Sequence, residues 1–123
     1  MDRAENAALL KRKNNCCQAV LLAYADVLGK TPAELCTLGK CFGAGMGGME
    51  GTCGALVGAE MVLSLTGGNM MQAKALHQKF TELCGASICK DLKGATTGKV
   101  LCSCEDCVRN AVKALETIRQ MSV

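Results

Sequence analysis

The sequence predicts an all-α fold. It is read as a single domain over residues 1–123, a compact helical bundle of about five to six helices around a central, buried, Gly/Ala-rich helix. Three observations predict this. Apolar residues recur at helical spacing along the chain and nowhere at the alternating spacing of a strand. Aromatic residues are nearly absent, with Tyr24, Phe42, Phe80 and no Trp. The core is therefore built from Leu, Val, Ala, Met and Cys, which suits close-packed helices better than a sandwich. Half of the 123 residues are apolar, enough for a packed globule rather than disorder.

A first helix is expected from about Arg3 to Leu28, with Cys17, Val20, Leu21, Tyr24 and Leu28 along one face and Gly29 as its stop. Thr31-Pro32-Ala33-Glu34 spells a capping box with Pro at the first helical position, opening a second helix to about Phe42. Residues 43–51, Gly-Ala-Gly-Met-Gly-Gly-Met-Glu-Gly, form a glycine-rich bend. Thr52 is expected to cap a third helix through Leu65. Its Gly54, Ala55, Gly58 and Ala59 leave a bare face that a neighbouring backbone can approach, so this is the expected central helix. Asn69 caps a fourth, with Ala73, Leu76, Phe80 and Leu83 on one face and Gly85 at its end. A helical turn at 87–92 and a polar loop at 93–99 precede the last helix, from about Cys104 to Met121. Cys107, Val108, Ala111, Leu115 and Ile118 form its apolar seam.

Formal net charge is +3, and ionised thiols around a metal would bring the balance near neutral. Lys11-Arg12-Lys13 is the only basic cluster and reads chiefly as a solvated helix face, with docking of an acidic redox partner as the lesser reading. The lack of aromatic platforms argues against nucleic-acid binding. The apolar stretch Thr52–Leu65 is interrupted by Glu60 and is too short for a membrane span.

Ten residues are cysteine. The N-terminal residues Met1-Asp2-Arg3-Ala4-Glu5-Asn6 are charged and show no signal-peptide pattern, so a cytoplasmic location is expected. In a reducing compartment, thiols at this density hold metal or do redox chemistry more often than they form structural disulfides. Cys53 is expected in the first turn of the buried helix, where free N–H groups and the helix dipole favour a thiolate, and Cys104 at the start of the last helix. The pairs Cys104-x-x-Cys107 and Cys36-x4-Cys41 are weak signals alone.

Several segments, taken in order, carry a resemblance: Asn15-Cys16-Cys17-Gln18-Ala19-Val20, the glycine bend leading into Cys53-Gly54-Ala55-Leu56-Val57-Gly58, Gly85-Ala86-Ser87-Ile88-Cys89, and Cys104-Glu105-Asp106-Cys107-Val108-Arg109-Asn110-Ala111. Together they resemble the redox-active proteins named for a C–GCAxxG–C–C pattern. The resemblance implies a helical domain whose signature cysteines, here Cys16, Cys53, Cys89 and Cys104, hold a metal or an iron–sulfur cluster (2Fe-2S or 4Fe-4S). Cys17 and Cys107 are the alternates within their pairs. Such modules occur joined to haem domains in anaerobic bacteria, which implies an electron carrier rather than a catalyst, with a redox protein as donor or acceptor. Cys36, Cys41, Cys84 and Cys102 have no counterpart in the pattern.

Four thiolates from four helical segments suit a cluster shielded by apolar helices. Zinc would use the same sulfurs without transferring electrons. A thiol–disulfide oxidoreductase or redox sensor, through Cys104 and Cys107 or through Cys53 and a neighbour, is the alternative of another class. Cys36 and Cys84 are expected to pack as small hydrophobes. His77 is expected to be solvated and Glu60 a satisfied core acid. Gly43-x-Gly45-x-x-Gly48 lacks the strand that a dinucleotide site needs, and Gly94 to Lys99 is a loop. Met46, Met49, Met70 and Met71 are gap-fillers or surface residues. No Ser/His/Asp set and no carboxylate pair is present. A homodimer is the expected assembly.

Overall fold

A computed structural model describes residues 2–95 and 98–121. Thr96 and Thr97 of the expected polar loop lie outside the described residues. The described chain is all-helical, and its order is α1 (Arg3–Leu10), α2 (Cys16–Ala23), α3 (Ala25–Leu28), α4 (Pro32–Gly39), α5 (Gly54–Leu65), α6 (Met70–Cys84), α7 (Cys89–Leu92) and α8 (Cys104–Met121).

Eight helices among the described residues replace the expected five to six, mainly because the expected first helix is three. Residues 11–14 turn, and the chain restarts on a capping box. The Asn15 side chain accepts from the Gln18 N–H (2.8 Å) while the Gln18 side chain accepts from the Asn15 N–H (3.0 Å). That signature was present in the sequence and was overridden by the longer apolar periodicity. Asn15 also shortens α4, expected to reach Phe42: its amide donates to the Gly39 and Lys40 carbonyls, both at 3.2 Å. Those carbonyls, capped from outside, let the helix end at Gly39.

The other starts and stops follow the local chemistry. Thr31 and Asn69 cap α4 and α6 with reciprocal boxes. Gly29 and Gly85 end α3 and α6 in the left-handed conformation. On α6 the buried face runs Leu76, Phe80, Cys84. It follows i, i+4 toward α8, and Leu83, expected on that face, is exposed.

α5 is the central helix, packed on α2, α8 and α6. A Cβ on Gly54 would lie 2.7 Å from the Phe42 carbonyl oxygen, and one on Gly58 2.9 Å from that of Cys17. The bare face therefore lets α5 and α2 meet backbone to backbone, which brings the segment of Cys16 beside that of Cys53. α8 closes the bundle against α1, α6 and α5. Its expected seam of Cys107, Val108, Ala111, Leu115 and Ile118 is buried. Buried Tyr24 ties α2 to α8: its hydroxyl donates to Glu116 at 2.8 Å, and Arg3 and Arg119 lie over its ring.

Candidate metal centre

The start of α5 differs from the expectation in a way that shapes the site. Thr52 does not cap it. Thr52 forms an isolated antiparallel bridge with Ile88, the Cys53 N–H donates to the Ser87 carbonyl (2.8 Å), and the Cys89 N–H donates to that of Gly51 (3.0 Å). This clasp ties residues 51–53 to 87–89 and makes Cys53 itself the N-cap residue of α5. Two cysteines 36 positions apart are thereby anchored side by side.

The glycine bend closes over Cys89. Gly45 has a φ of +60°, and a Cβ there would lie 2.6 Å from the Cys89 Cβ and 2.7 Å from the Met49 Cα. The Lys90 N–H donates to the Met49 carbonyl at 2.8 Å.

Around these anchors the thiols form two groups. Cys16, at the start of α2, is near enough to Cys104, at the start of α8, for each to shift the other's thiol. Cys53 is close enough to Cys16 and to Cys89 to shift both electrostatically. The second group is Cys84, Cys102 and Cys107, whose sulfurs all lie within 4.8 Å of one another, the one such trio among the described residues. All three are buried, there is no disulfide, and the trio can hold a metal ion. Cys53 and Cys107 act on each other's thiols and so join the groups.

Lys93 sits between them. Its ammonium donates to the Cys102 carbonyl at 3.1 Å and to the Cys107 sulfur at 3.5 Å, and it hydrogen-bonds Cys104. Among so many sulfurs its pKa is raised, although burial opposes that. The same charges act in reverse on Cys104. The neighbouring Cys16 thiol, then Lys93 and Lys11, hold its thiol down to about 5, which favours the thiolate at neutral pH. Cys16, the other member of that pair, is pushed up.

Cys53 departs from the expected activated thiolate. The amides of Ala55 and Leu56 do lower its pKa, as a helix start should. The neighbouring Cys107 thiol and burial outweigh them and push it up. Burial and Cys107 lift Cys102 to about 11. Cys104 is thus held down, whereas Cys16, Cys53, Cys89, Cys102 and Cys107 are raised.

The alternates separate by direction. Cys16 faces Cys104, while Cys17, on the next position of α2, donates toward the Met61 sulfur at 3.6 Å, and burial lifts its thiol to about 12. Cys107 lies in the trio. Cys84, expected to be a packing residue, is instead one corner of that trio, and Cys102 is another; they lie five positions before Cys89 and two before Cys104 yet join the other group. Cys36 is half-buried, its thiol directed at Asn14 (3.8 Å), and Cys41 is exposed. His77 faces Glu60 at 3.9 Å, and burial raises the Glu60 carboxyl.

No helix among the described residues is long and apolar enough to cross a membrane. No curated protein and no solved structure matches the chain. Residues 14–118 match the family described as "Putative redox-active protein (C_GCAxxG_C_C)". That span holds the capping box before Cys16, the clasped Cys53 and Cys89, and nearly all of the helix begun by Cys104, and the chain belongs to the C_GCAxxG_C_C family.

Proposed function

We propose that the protein is an electron carrier that holds an iron–sulfur cluster through Cys16, Cys53, Cys89 and Cys104. What supports this reading is that Cys16, Cys53, Cys89 and Cys104, from four separate segments, act on one another electrostatically, with Lys93 acting on Cys89 and Cys104. The 51–53/87–89 clasp ties the backbone of Cys53 beside that of Cys89. These four are spaced more widely than the trio, which suits a polynuclear group better than a single ion. Such a cluster supplies reversible one-electron chemistry at a potential set by charge, hydrogen bonds and exposure.

The chain's residues supply the rest. Cys16, Cys53 and Cys89 are buried and keep water out, whereas Cys104 is half-exposed and marks the edge that a redox partner can approach. The Ala55 and Leu56 amides face the Cys53 sulfur, and the positive charges of Lys93 and Lys11 reach Cys104. These groups compensate thiolate charge and favour the reduced, more negative state.

One observation favours a second reading, a thiol–disulfide exchanger. Cys104 is a thiolate with Cys16 as its neighbour, an attacking and resolving pair in place of the expected Cys104 and Cys107. Oxidation by an external disulfide would join Cys16 to Cys104 and release that disulfide as two thiols. Protein made without oxygen separates the readings. Visible absorption and an EPR signal on reduction support the cluster. Colourless, iron-free protein that reversibly forms the Cys16–Cys104 bond supports the exchanger, and stoichiometric zinc without iron displaces the cluster reading.

A further inference from the structure

We propose that Cys84, Cys102 and Cys107 form a second metal site, separate from the signature cysteines, that takes one thiophilic d10 cation of the Zn2+ class. The trio is assembled from the end of α6, the loop before α8 and the first turn of α8. A single ion with metal–sulfur bonds of about 2.3 Å holds its sulfurs about 3.8 to 4.0 Å apart. The trio already lies within 4.8 Å, so an inward shift of about 1 Å at most closes it on an ion.

Each sulfur also has a nitrogen donor from outside the trio. The Asn110 side-chain amide donates to Cys84 (3.4 Å) and Cys102 (3.8 Å), and the Lys93 ammonium donates to Cys107 (3.5 Å). Asn110 sits one turn along α8 from Cys107, so one helix positions both a ligand and the group that orients the other two. Outer hydrogen bonds of this kind hold thiolates in place around an ion. Simple packing cysteines have no need of them.

Charge completes the argument. Three thiolates and a divalent ion leave one negative charge, and the Lys93 ammonium, 3.5 Å from the Cys107 sulfur and shared with Cys104, offsets part of it. Binding replaces the three S–H bonds with metal–sulfur bonds and releases three protons to solvent, and the Cys107 thiol gives up its 3.7 Å hydrogen bond to the Cys102 carbonyl. Three protein ligands leave a fourth position for water or a neighbouring oxygen. Cys104 and Cys107 lie one turn apart on α8 yet contact different cysteines. Cys104 meets Cys16, and Cys107 meets Cys84 and Cys102 on one side and Cys53 on the other, so α8 serves two adjoining centres.

The test uses the full chain prepared without oxygen, with Zn2+ and Cd2+ as probes. After exposure to excess Zn2+ and desalting against a weak chelator, zinc and iron are counted per chain. One zinc is expected in the wild type, none in Cys84→Ser/Cys102→Ser, and one in Cys16→Ser/Cys89→Ser. Zinc lost from the latter variant and kept by the former overturns the proposal, as does a wild type that takes up none.

A second measurement avoids reliance on the variants folding. One equivalent of Cd2+ is added to metal-free wild-type chain, which is then alkylated briefly and mapped by mass spectrometry. Protection of Cys84, Cys102 and Cys107 supports the site, and protection of Cys16, Cys53, Cys89 and Cys104 in their place overturns it. Iron-free wild type that still binds zinc at the trio would remove the electron-carrier reading and leave this one standing.

Discussion

Replacing Gly45 with alanine tests whether the glycine bend closes on Cys89 as the structure shows. Gly45 has a φ of +60°, and the new methyl carbon would lie 2.6 Å from the Cys89 Cβ and 2.7 and 2.8 Å from the Met49 Cα and carbonyl carbon. Two of those three atoms are backbone and cannot swing aside. Gly29 provides the control, with a φ of +64° and nothing within 4 Å of its added Cβ. Gly29→Ala therefore suffers only left-handed strain, about 1–2 kcal/mol, partly offset by about 0.4–1 kcal/mol from a stiffer unfolded chain. The net is about 1 kcal/mol. Gly45→Ala adds the overpacking cost of about 1–3 kcal/mol, for a total of about 2–4 kcal/mol. Urea unfolding of reduced, metal-free protein followed by far-ultraviolet circular dichroism reads both as shifts in midpoint at constant slope. Gly45→Ala should also raise the alkylation rate of Cys89. If the two variants agree to within about 0.5 kcal/mol, the loop does not press on Cys89 and the reasoning fails.

Other changes have equally definite outcomes. Asn15→Ala removes the α2 cap and the donors to Gly39 and Lys40. It should cost about 1–2 kcal/mol in urea unfolding and lower metal occupancy at Cys16; unchanged stability would show that the capping box does not hold α2. In reduced, metal-free protein, iodoacetamide at about pH 6.5, some two units below the usual cysteine value, should label Cys104 first. The thiolate persists there because its pKa is held near about 5. Lys93→Met removes a positive charge, disfavours the thiolate and should move that rate profile to higher pH. A profile unmoved by the substitution contradicts the placement of Lys93. Tyr24→Phe deletes the 2.8 Å hydrogen bond to Glu116, with an expected loss of about 0.5–1.5 kcal/mol in the same unfolding assay; a gain in stability would contradict the bond.

Much of the helical frame was legible because its signals are local. Thr31 and Asn69 with their reciprocal partners, Gly29 and Gly85 as stops, and the seam of α8 all act within a turn of their own position. The break before Cys16 is equally local in Asn15 and Gln18, but the apolar periodicity from Cys17 to Leu28 runs as one helical face and masks it. The start of α5 was hidden for another reason. Cys53 becomes the cap residue through a bridge between Thr52 and Ile88, a contact across 36 positions with no strand pattern on either side. The trio was illegible for the same reason. Cys84 sits where a packing residue belongs on the buried face of α6, and only the approach of α8 and the loop before it brings Cys102 and Cys107 to it. Periodicity can say that a side chain points inward. It cannot say which other inward-pointing side chain it will meet.

The central claim is that the signature thiols hold an iron–sulfur cluster, and metal analysis tests it most directly. Iron and acid-labile sulfide should be counted per chain on oxygen-free protein, in the wild type and in Cys53→Ser. The account predicts both elements in stoichiometric amounts in the wild type and their loss in the variant. Oxygen-free wild-type protein with neither element, or with iron unaffected by Cys53→Ser, would contradict it.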